Sequence, residues 1–197
     1  MVYQLLFLIL TYFIASIPFG LLLTKKFSGK DIRQFGSKNI GATNVTRVAG
    51  KKLGFATLIL DSCKGAIMVI VARFSFCHCP QLHLFLCLVV LVAVLGHIYP
   101  IYLKFKGGKG VATTLACIFA LDLPVGVLMG AFWLLAFCLF RISSVASLIS
   151  LFVCGLASMY LEAPPSEIIL CWTLFALILV KHKGNIARLL LGEEKQI

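Results

Sequence analysis

Long apolar runs, separated by short polar segments, set the strongest limit on what this chain can fold into. There are seven, at about 3–24, 53–72, 82–103, 111–121, 125–140, 142–160 and 166–180. A helix needs roughly 20 apolar residues to cross a bilayer, and it satisfies its own backbone hydrogen bonds there. Since 61% of the residues are apolar and only 13% are charged, a water-soluble enzyme is excluded. The sequence predicts an all-α, polytopic integral membrane protein with seven transmembrane helices.

The positions of the basic residues predict how these helices are oriented. Seven spans with an external N-terminus place 16 of the 18 Lys and Arg on one side: eight in 25–52, three in 104–110, Arg141, and four from 181 onward. Cytoplasmic loops carry such an excess. We therefore expect residues 1–197 to form a single membrane domain with a periplasmic N-terminus, a cytoplasmic C-terminus, and interfacial loops or short helices on the cytoplasmic side. Fusing 111–121 with the next run would give six spans, but it would move Arg141 and the basic tail outside.

The net charge of +11 limits the partners of the chain. Because the basic residues lie in loops between apolar runs, they are typical of contact with an anionic membrane surface or an anionic substrate, and no nucleic-acid partner is predicted. Most of the eight cysteines lie singly in apolar runs, where thiols pack as small hydrophobic groups. The segment Cys77-His78-Cys79 is spaced more tightly than usual zinc ligands. Neither a metal nor another cofactor is therefore predicted.

The segment GSKNIGATNVTR, residues 36–47, has the composition of an anion site. Small residues let backbone amides approach an anion, Asn and Ser add neutral donors, and Arg offers a planar fork to phosphate. A short interfacial helix within Gly41–Gly50 would place Asn44 and Arg47 on one face. The alternative is an amphipathic helix lying on anionic lipid. The candidate phosphate-contacting residues are Ser37, Lys38, Asn39, Gly41, Thr43, Asn44 and Arg47.

A second candidate is the glycine loop KFKGGKG, residues 104–110, directly before the run that opens at Val111. Glycine-rich turns before a helix bind phosphate through backbone amides and the helix dipole. The loop is not a nucleotide P-loop, because it lacks the earlier glycine and the Ser or Thr after the lysine. The alternative is a plain positive-inside loop. The candidate residues are Lys104, Lys106, Gly107, Gly108, Lys109 and Gly110.

Charged residues also lie inside the apolar runs. Asp61 and Lys64 share one helix face in the second run and can neutralise each other. Charges within the membrane are costly and are usually functional, but a structural ion pair that positions the cytoplasmic loop is an open alternative. His97 lies shortly before the glycine loop, where it is either a supporting group for the site or a hydrogen-bonded structural histidine.

Two further polar groups fall on the side predicted to be cytoplasmic. Ser143 and Ser144 follow Arg141 between two apolar runs, and His182 and Asn185 open the tail. A histidine accepts a hydroxyl proton near neutral pH, although a lone histidine is more often structural. Serines near membrane helices usually make helix contacts, so the pair gains weight only beside the other motifs.

Four motifs together resemble a known family. In order they read GSKNIGATNVTR, GHIYPIYLKFKGGKGVAT, RISSVAS and HKGNIARLLLGEE. This succession, from Ala15 to about Glu194, resembles the bacterial acyl-phosphate-dependent glycerol-3-phosphate acyltransferases, the PlsY family. The resemblance implies a seven-helix enzyme of the bacterial inner membrane that transfers a fatty acyl group from acyl phosphate to the 1-hydroxyl of glycerol 3-phosphate. The products would be lysophosphatidic acid and phosphate. The expected partners are the two substrates, membrane lipid and the enzyme that makes acyl phosphate.

The resemblance also implies roles for individual residues. The residues that would handle the glycerol phosphate are Ser37, Arg47, a lysine of the glycine loop, His182 and Asn185. We expect that lysine to be Lys109. Ser143 and Ser144 would lie near the acyl phosphate. From the composition of the two loops, we expect their remaining candidate residues to contact phosphate, with Asp61, Lys64 and His97 in support. An acyl phosphate is already activated, so we expect direct attack by the glycerol hydroxyl, with Arg47 and Lys109 holding phosphates and the 107–110 amides cradling one of them. The hydroxyl proton would pass to His182 or to a substrate phosphate oxygen.

The competing hypothesis is a transporter for a phosphate-bearing solute, because broken helices that end at glycines also bind anions in transporters. A transporter needs polar groups that reach both sides of the membrane. Here the candidate groups gather on the predicted cytoplasmic side, and the predicted outer loops are short. The sequence therefore favours the enzyme.

Overall fold

The computed structural model describes residues 1–194, and all regular secondary structure within that range is helical. This confirms the all-α prediction. Short 3₁₀ helices occupy Ile32–Gln34 and Ile101–Leu103. The α-helices are α1 (Val2–Ala15), α2 (Phe19–Ser28), α3 (Ala42–Ala49), α4 (Lys51–Ser75), α5 (Leu82–Ile98), α6 (Val111–Leu121), α7 (Leu123–Phe140), α8 (Ser143–Tyr160), α9 (Pro165–Lys181) and α10 (Lys183–Leu190).

Five helical stretches of the described chain are long and apolar enough to cross a membrane. They are Val2–Ser28, Lys51–Ser75, Leu82–Leu103, Leu123–Phe140 and Ser143–Tyr160. The pair α9 and α10, bent by 60°, adds a sixth if it counts as one span. The 11 residues of α6 rise only about 16 Å, roughly half the thickness of the hydrocarbon core. The chain is thus a multispanning helical protein, while seven spans and their orientation stay predictions.

The composition of the first apolar run predicts one helix, but the run forms two. Helix α1 ends at Ala15 and α2 begins at Phe19. Pro18 has no backbone N–H to donate, and its ring disfavours helical geometry at Ile17. The single helix expected over 3–24 is therefore wrong, and the break falls inside a segment long enough to span the membrane.

The chain divides into two compact units, Met1–Cys117 and the part that begins at Ile118. In the first unit, glycines allow close helix contacts: a methyl group on Gly96 would lie 2.8 Å from the carbonyl oxygen of Tyr12. A methyl group on Gly65 would similarly lie 2.8 Å from the side chain of Thr113. Small residues at membrane helix interfaces let backbones approach in this way. They bring α1 against α5 and α4 against α6.

Helices α7, α8 and α9 form the core of the second unit. Gly155 of α8 leaves room for the Trp172 ring of α9, which a methyl group there would approach to 2.8 Å. The Trp133 indole N–H donates to the hydroxyl of Ser147, 3.3 Å away. Asp122 begins α7 by accepting a hydrogen bond from the Val125 amide at 3.0 Å, the usual role of an N-cap carboxylate.

The segment between α2 and α4 has a small hydrophobic core of its own. Leu21, Ile32, Ile40 and Val45 are buried together, and Leu103 packs against them with Val48, Ala49 and Leu53. Leu103 directly precedes the glycine loop. This core therefore brings the 36–47 segment and the glycine loop, both in the first unit, next to each other.

Candidate anion-binding site

Asn44 organises the loop that carries the first motif. Its side-chain oxygen accepts a hydrogen bond from the Ser37 amide at 2.9 Å. Its side-chain NH₂ donates to the carbonyl oxygens of Asn39 at 2.8 Å and Phe35 at 3.0 Å. Asn44 is 1% exposed. The buried Asn44 side chain thus supplies hydrogen-bond partners to backbone groups of a loop that has no regular secondary structure.

This placement gives Asn44 a structural role besides the predicted one. The short helix expected within 41–50 is present as α3, but Asn44 faces into the protein while Arg47 is exposed. The loop backbone engages both polar groups of Asn44 in this structure, and a direct phosphate contact by Asn44 stays a prediction. In this conformation, Asn44 shapes the surface that Ser37, Lys38 and Arg47 present.

Gly36 is required at its position for two reasons. Its φ is +58°, in the left-handed region that glycine adopts most easily. A methyl group there would also overlap the Asn44 side-chain oxygen. The first glycine of the motif thus serves the fold of the loop, as does Asn39, whose side-chain oxygen accepts from the Gly41 amide at 3.3 Å. Gly41 then precedes α3, whose first turn carries Thr43.

An ion pair fixes the entry to the loop. Asp31 begins the first 3₁₀ helix, and both of its oxygens accept from the Arg33 guanidinium, at 2.9 and 2.6 Å. The hydrogen bonds from Arg33 hold the pKa of the Asp31 carboxyl well below its usual range. Lys25 at the end of α2 lies 3.7 Å from the same carboxylate. The Lys25 ion pair therefore links the end of α2 to Asp31, and the bidentate pair with Arg33 fixes the first 3₁₀ helix.

The glycine loop folds back on the end of α5. The Gly107 amide donates to the Ile98 carbonyl, and the Gly108 amide donates to the His97 carbonyl, both at 3.1 Å. A methyl group on Gly107 would overlap the carbonyl oxygen of His97, and one on Gly108 would overlap the His97 ring. Both amides thus donate to the end of α5 in this structure, and their contact with phosphate stays a prediction. The glycines are needed for close approach to α5.

The positive charge of the glycine loop comes from its three lysine side chains. Lys104 and Lys106 are exposed, and Lys109 is half-buried. Gly110 has a φ of +90°, which turns the chain into α6 directly after Lys109. The first amides of any helix lack partners within that helix, so the start of α6 adds the positive end of a helix dipole beside Lys109.

Three candidate residues lie buried beneath this loop. The Lys64 ammonium is 2.8 Å from the Asp61 carboxylate, and His97 Nδ1 lies 3.7 Å from the same oxygen of Asp61. All three are at most 5% exposed. The structure therefore brings Asp61, Lys64 and His97 together. Of the three, His97 contacts the glycine loop, because its ring lies against Gly108.

The second unit gathers another set of candidates around a carboxylate that the sequence analysis did not single out. The Glu194 side chain accepts hydrogen bonds from the Ser144 hydroxyl at 3.1 Å, the Asn185 amide at 2.5 Å and the Arg188 guanidinium at 2.7 Å. Asn185 and Arg188 share one face of α10 at a spacing of three residues. That spacing, followed by Gly192 and two glutamates, was the available signal for Arg188 and Glu194.

His182 lies at the bend between α9 and α10 and is 2% exposed. Its Nδ1 is 2.9 Å from the carbonyl oxygen of Ile178. In the neutral ring, donation from Nδ1 to that carbonyl leaves Nε2 as the acceptor. Ser143 opens α8 and its carbonyl accepts from the Ser147 hydroxyl at 2.7 Å.

Unusual backbone geometry concentrates in the predicted motifs. Within residues 1–194, five non-glycine residues have positive φ. Four of them, Lys38, Lys104, Phe105 and Arg141, lie in the first motif, in the glycine loop and before the serine pair. Such strained residues tend to cluster at functional sites. The same part of the chain contains no cluster of three or more His, Cys, Asp and Glu placed to hold a metal ion.

The sequence and the fold are similar to those of known proteins. Residues 5–192 match the family described as glycerol-3-phosphate acyltransferase. The glycerol-3-phosphate acyltransferase of Anaeromyxobacter sp. (strain Fw109-5) is 46% identical over 190 residues, which cover 94% of this chain and 92% of that protein. The enzyme of the same name from Wolbachia pipientis subsp. Culex pipiens is 43% identical, with 96% of each chain covered.

A solved structure is similar over the same extent. The crystal structure of PlsY, an integral membrane glycerol 3-phosphate acyltransferase, in its glycerol 3-phosphate form, matches with a TM-score of 0.92 and 38% identity, covering 99% of this chain and 96% of that chain. The lysophosphatidic acid form matches with a TM-score of 0.89. The chain belongs to the glycerol-3-phosphate acyltransferase family, as a PlsY-type integral membrane protein.

Proposed function

We propose that this chain transfers a fatty acyl group from acyl phosphate to the 1-hydroxyl of glycerol 3-phosphate in phospholipid synthesis. The observation that carries the proposal is the full-length similarity to PlsY, whose structures are described in glycerol 3-phosphate and lysophosphatidic acid forms. The exposed and half-buried cations of the first unit support it, because both substrates carry phosphate.

The reaction needs little covalent help from the protein. The glycerol oxygen attacks the acyl carbon, a new C–O bond forms, and the bond to the phosphate oxygen breaks with release of inorganic phosphate. Acyl phosphate is a mixed anhydride, so orientation and charge stabilisation are the main requirements. The hydroxyl proton passes to His182 Nε2 or to a phosphate oxygen. The hydrogen bond from His182 Nδ1 to Ile178 supports the first route, because it leaves Nε2 as acceptor.

We assign the phosphate contacts to side chains rather than to the glycine amides. Arg47 and Lys109 hold the phosphate of glycerol 3-phosphate, with Ser37 as a neutral donor and Lys38, Lys104 and Lys106 as surrounding cations. Gly36 and Asn44 fix the shape of the loop, and the occupied amides of the glycine loop fix its path. In the second unit, Asn185 assists with glycerol phosphate, and Ser143 and Ser144 serve acyl phosphate.

We place the enzyme in the bacterial inner membrane, with its active site facing the cytoplasm. The excess of basic residues in 25–52 and 104–110 supports this orientation. Acyl phosphate must be supplied by an enzyme that phosphorylates the carboxylate of a free fatty acid, or by one that lets inorganic phosphate displace the carrier thiol of an acyl thioester. That enzyme is the proposed partner.

Product formation by the purified protein in detergent tests the proposal. Glycerol 3-phosphate is supplied with palmitoyl phosphate or with palmitoyl-CoA, in both cases with a chelator present. We expect lysophosphatidic acid from palmitoyl phosphate alone. Product from the CoA ester alone would contradict the proposed donor. No product from either, with uptake of glycerol 3-phosphate into proteoliposomes, would favour the transporter.

A further inference from the structure

A buried charged cluster, defined as Asp61, Lys64 and His97, lies inside two apolar spans of the first unit. The Lys64 and Asp61 side chains are 3% and 4% exposed and 2.8 Å apart. Charges within a membrane segment are expensive and are retained mainly where they serve a function. The pairing of Asp61 with Lys64 satisfies their charges but does not itself explain why they are there.

Each member of the charged cluster contacts a place where regular helix stops. The Lys64 ammonium donates to the Ile17 carbonyl at 2.9 Å, in the break between α1 and α2. The Thr113 hydroxyl, in the first turn of α6, donates to the backbone carbonyl of Asp61 at 2.9 Å. The His97 ring lies directly against Gly108 of the glycine loop. Two irregular segments are thus in contact with side chains of the charged cluster, and the start of α6 is fixed to the backbone of one of its members.

The neighbours of Lys109 are held from both sides by these contacts. On one side, the Gly108 amide donates to the His97 carbonyl at 3.1 Å. On the other, α6 begins at Val111 and is tied to α4 through Thr113. Because the chain is held on both sides of Lys109, the backbone position of Lys109 is fixed. Small displacements of a substrate-holding group have large effects on catalysis.

We propose that Asp61, Lys64 and His97 are positioning residues, which fix the glycine loop and the start of α6 so that Lys109 meets the phosphate of glycerol 3-phosphate. This inference rests on the proposed function, since it assumes that Lys109 binds that phosphate. The charged cluster itself does not contact substrate. A merely structural ion pair would stabilise the helices without affecting one substrate more than the other.

Variants that remove one charge of the Asp61–Lys64 pair, and variants that remove both, distinguish a positioning role from a merely structural one. Lys64→Met leaves the Asp61 carboxylate buried without its cation, which is strongly destabilising. Asp61→Leu with Lys64→Met replaces both charged side chains with apolar ones, and such replacements are often close to neutral for stability. Thr57→Val is the matched control, because Thr57 is buried one turn away on α4 and donates only to Leu53 of its own helix.

Steady-state kinetics and thermal unfolding are measured for these variants. For the double variant we expect a melting temperature close to wild type and a KM for glycerol 3-phosphate raised on the order of tenfold or more, with the KM for acyl phosphate unchanged. The control is expected to match wild type in both KM values. A double variant with wild-type KM values, or with both KM values raised equally, would overturn the proposal.

A double-mutant cycle tests the same idea through the loop contact. Gly108→Ala pushes the loop away from the His97 ring, and His97→Ala removes the ring. We expect each single variant to raise the KM for glycerol 3-phosphate, and the double to be no worse than the worse single, because residues in contact are non-additive. Additive effects would contradict contact through the ring. A wild type that forms no lysophosphatidic acid would instead remove the proposed function, and this inference with it.

Discussion

Asn44 in the first unit and Glu194 in the second each hold a functional segment together from one side chain. Asn44 is neutral and binds backbone groups of its own loop, at most twelve residues away in sequence. Glu194 is charged and binds side chains, among them Ser144, which is fifty residues away. Asn44 therefore fixes the backbone conformation of its loop, and Glu194 connects the start of α8 to α10.

The difference determines how each region responds to its surroundings. Backbone hydrogen bonds to a buried neutral amide do not change with pH or salt. A carboxylate that binds an amide, a hydroxyl and a guanidinium depends on its charge. We therefore expect the loop of the first unit to be rigid under all assay conditions, and the tail contacts to weaken in acid.

The largest effect is expected for Asn44→Ala. Four backbone groups of the loop, one of them buried and three partly buried, lose their partner. A buried group left unsatisfied costs about 1–3 kcal/mol, so the free energy of unfolding falls and activity is lost. Asn39→Ala is the matched control, since the Asn39 side chain accepts one longer bond, 3.3 Å from the Gly41 amide. Denaturant unfolding and the transfer assay measure both. Equal losses in the two variants would contradict the organising role of Asn44.

Glu194→Gln should have the next largest effect. It keeps the shape of the side chain but removes the charge that Arg188 and Asn185 engage, and hydrogen bonds to charged groups contribute roughly 1.5–3 kcal/mol. Glu193→Gln, the adjacent and exposed control, should stay within about 0.5 kcal/mol of wild type. Thermal unfolding of both in the same detergent decides. A larger loss for the Glu193 variant would contradict the account.

Acid should abolish the difference between wild type and Glu194→Gln. Burial alone would raise the pKa of Glu194, but hydrogen bonds from Asn185 and Arg188 outweigh it and hold the pKa below its ordinary value of 4.5. The resulting stability is fully present above pH 4.5 and is lost as the pH falls through the lower, folded-state pKa. Melting temperatures of the two proteins should start to approach each other below pH 4.5 and should coincide at a pH below the folded-state pKa of Glu194. A gap that persists there would rule out the charge as its source.

Ser144→Ala should have the smallest effect of the series. Glu194 keeps Asn185 and Arg188 when the hydroxyl is removed, so about 0.5–1.5 kcal/mol of stability is lost. If Ser144 also serves acyl phosphate, the KM for that donor rises while the KM for glycerol 3-phosphate does not. Unchanged kinetics would confine Ser144 to the tail contact.

The sequence predicted features that depend on local chemistry. Apolar runs of sufficient length predict membrane helices because the backbone has no other partner in lipid, and the glycines of 36–47 and 104–110 marked the loops. The break at Pro18 was also visible in the sequence, but the surrounding apolar run obscured it. These features depend on neighbours along the chain.

The remaining features depend on groups distant in sequence. Whether the Gly107 amide is available depends on the carbonyl of Ile98 nine residues earlier, and the role of Asn44 depends on where three carbonyls of its loop point. Glu194 gains its role only when α8 and the tail lie side by side in the second unit. Composition and residue spacing do not reveal such contacts between groups that are distant in sequence.

Time courses of lysophosphatidic acid formation by wild type and Arg47→Ala test the central claim most directly. Purified protein is given glycerol 3-phosphate and palmitoyl phosphate, with melting temperatures recorded for both proteins. The account predicts steady product formation by wild type and a loss of activity in Arg47→Ala. Because Arg47 is exposed, the variant should still be folded at the assay temperature. Full activity in the Arg47→Ala variant, or no product from wild type, would contradict it.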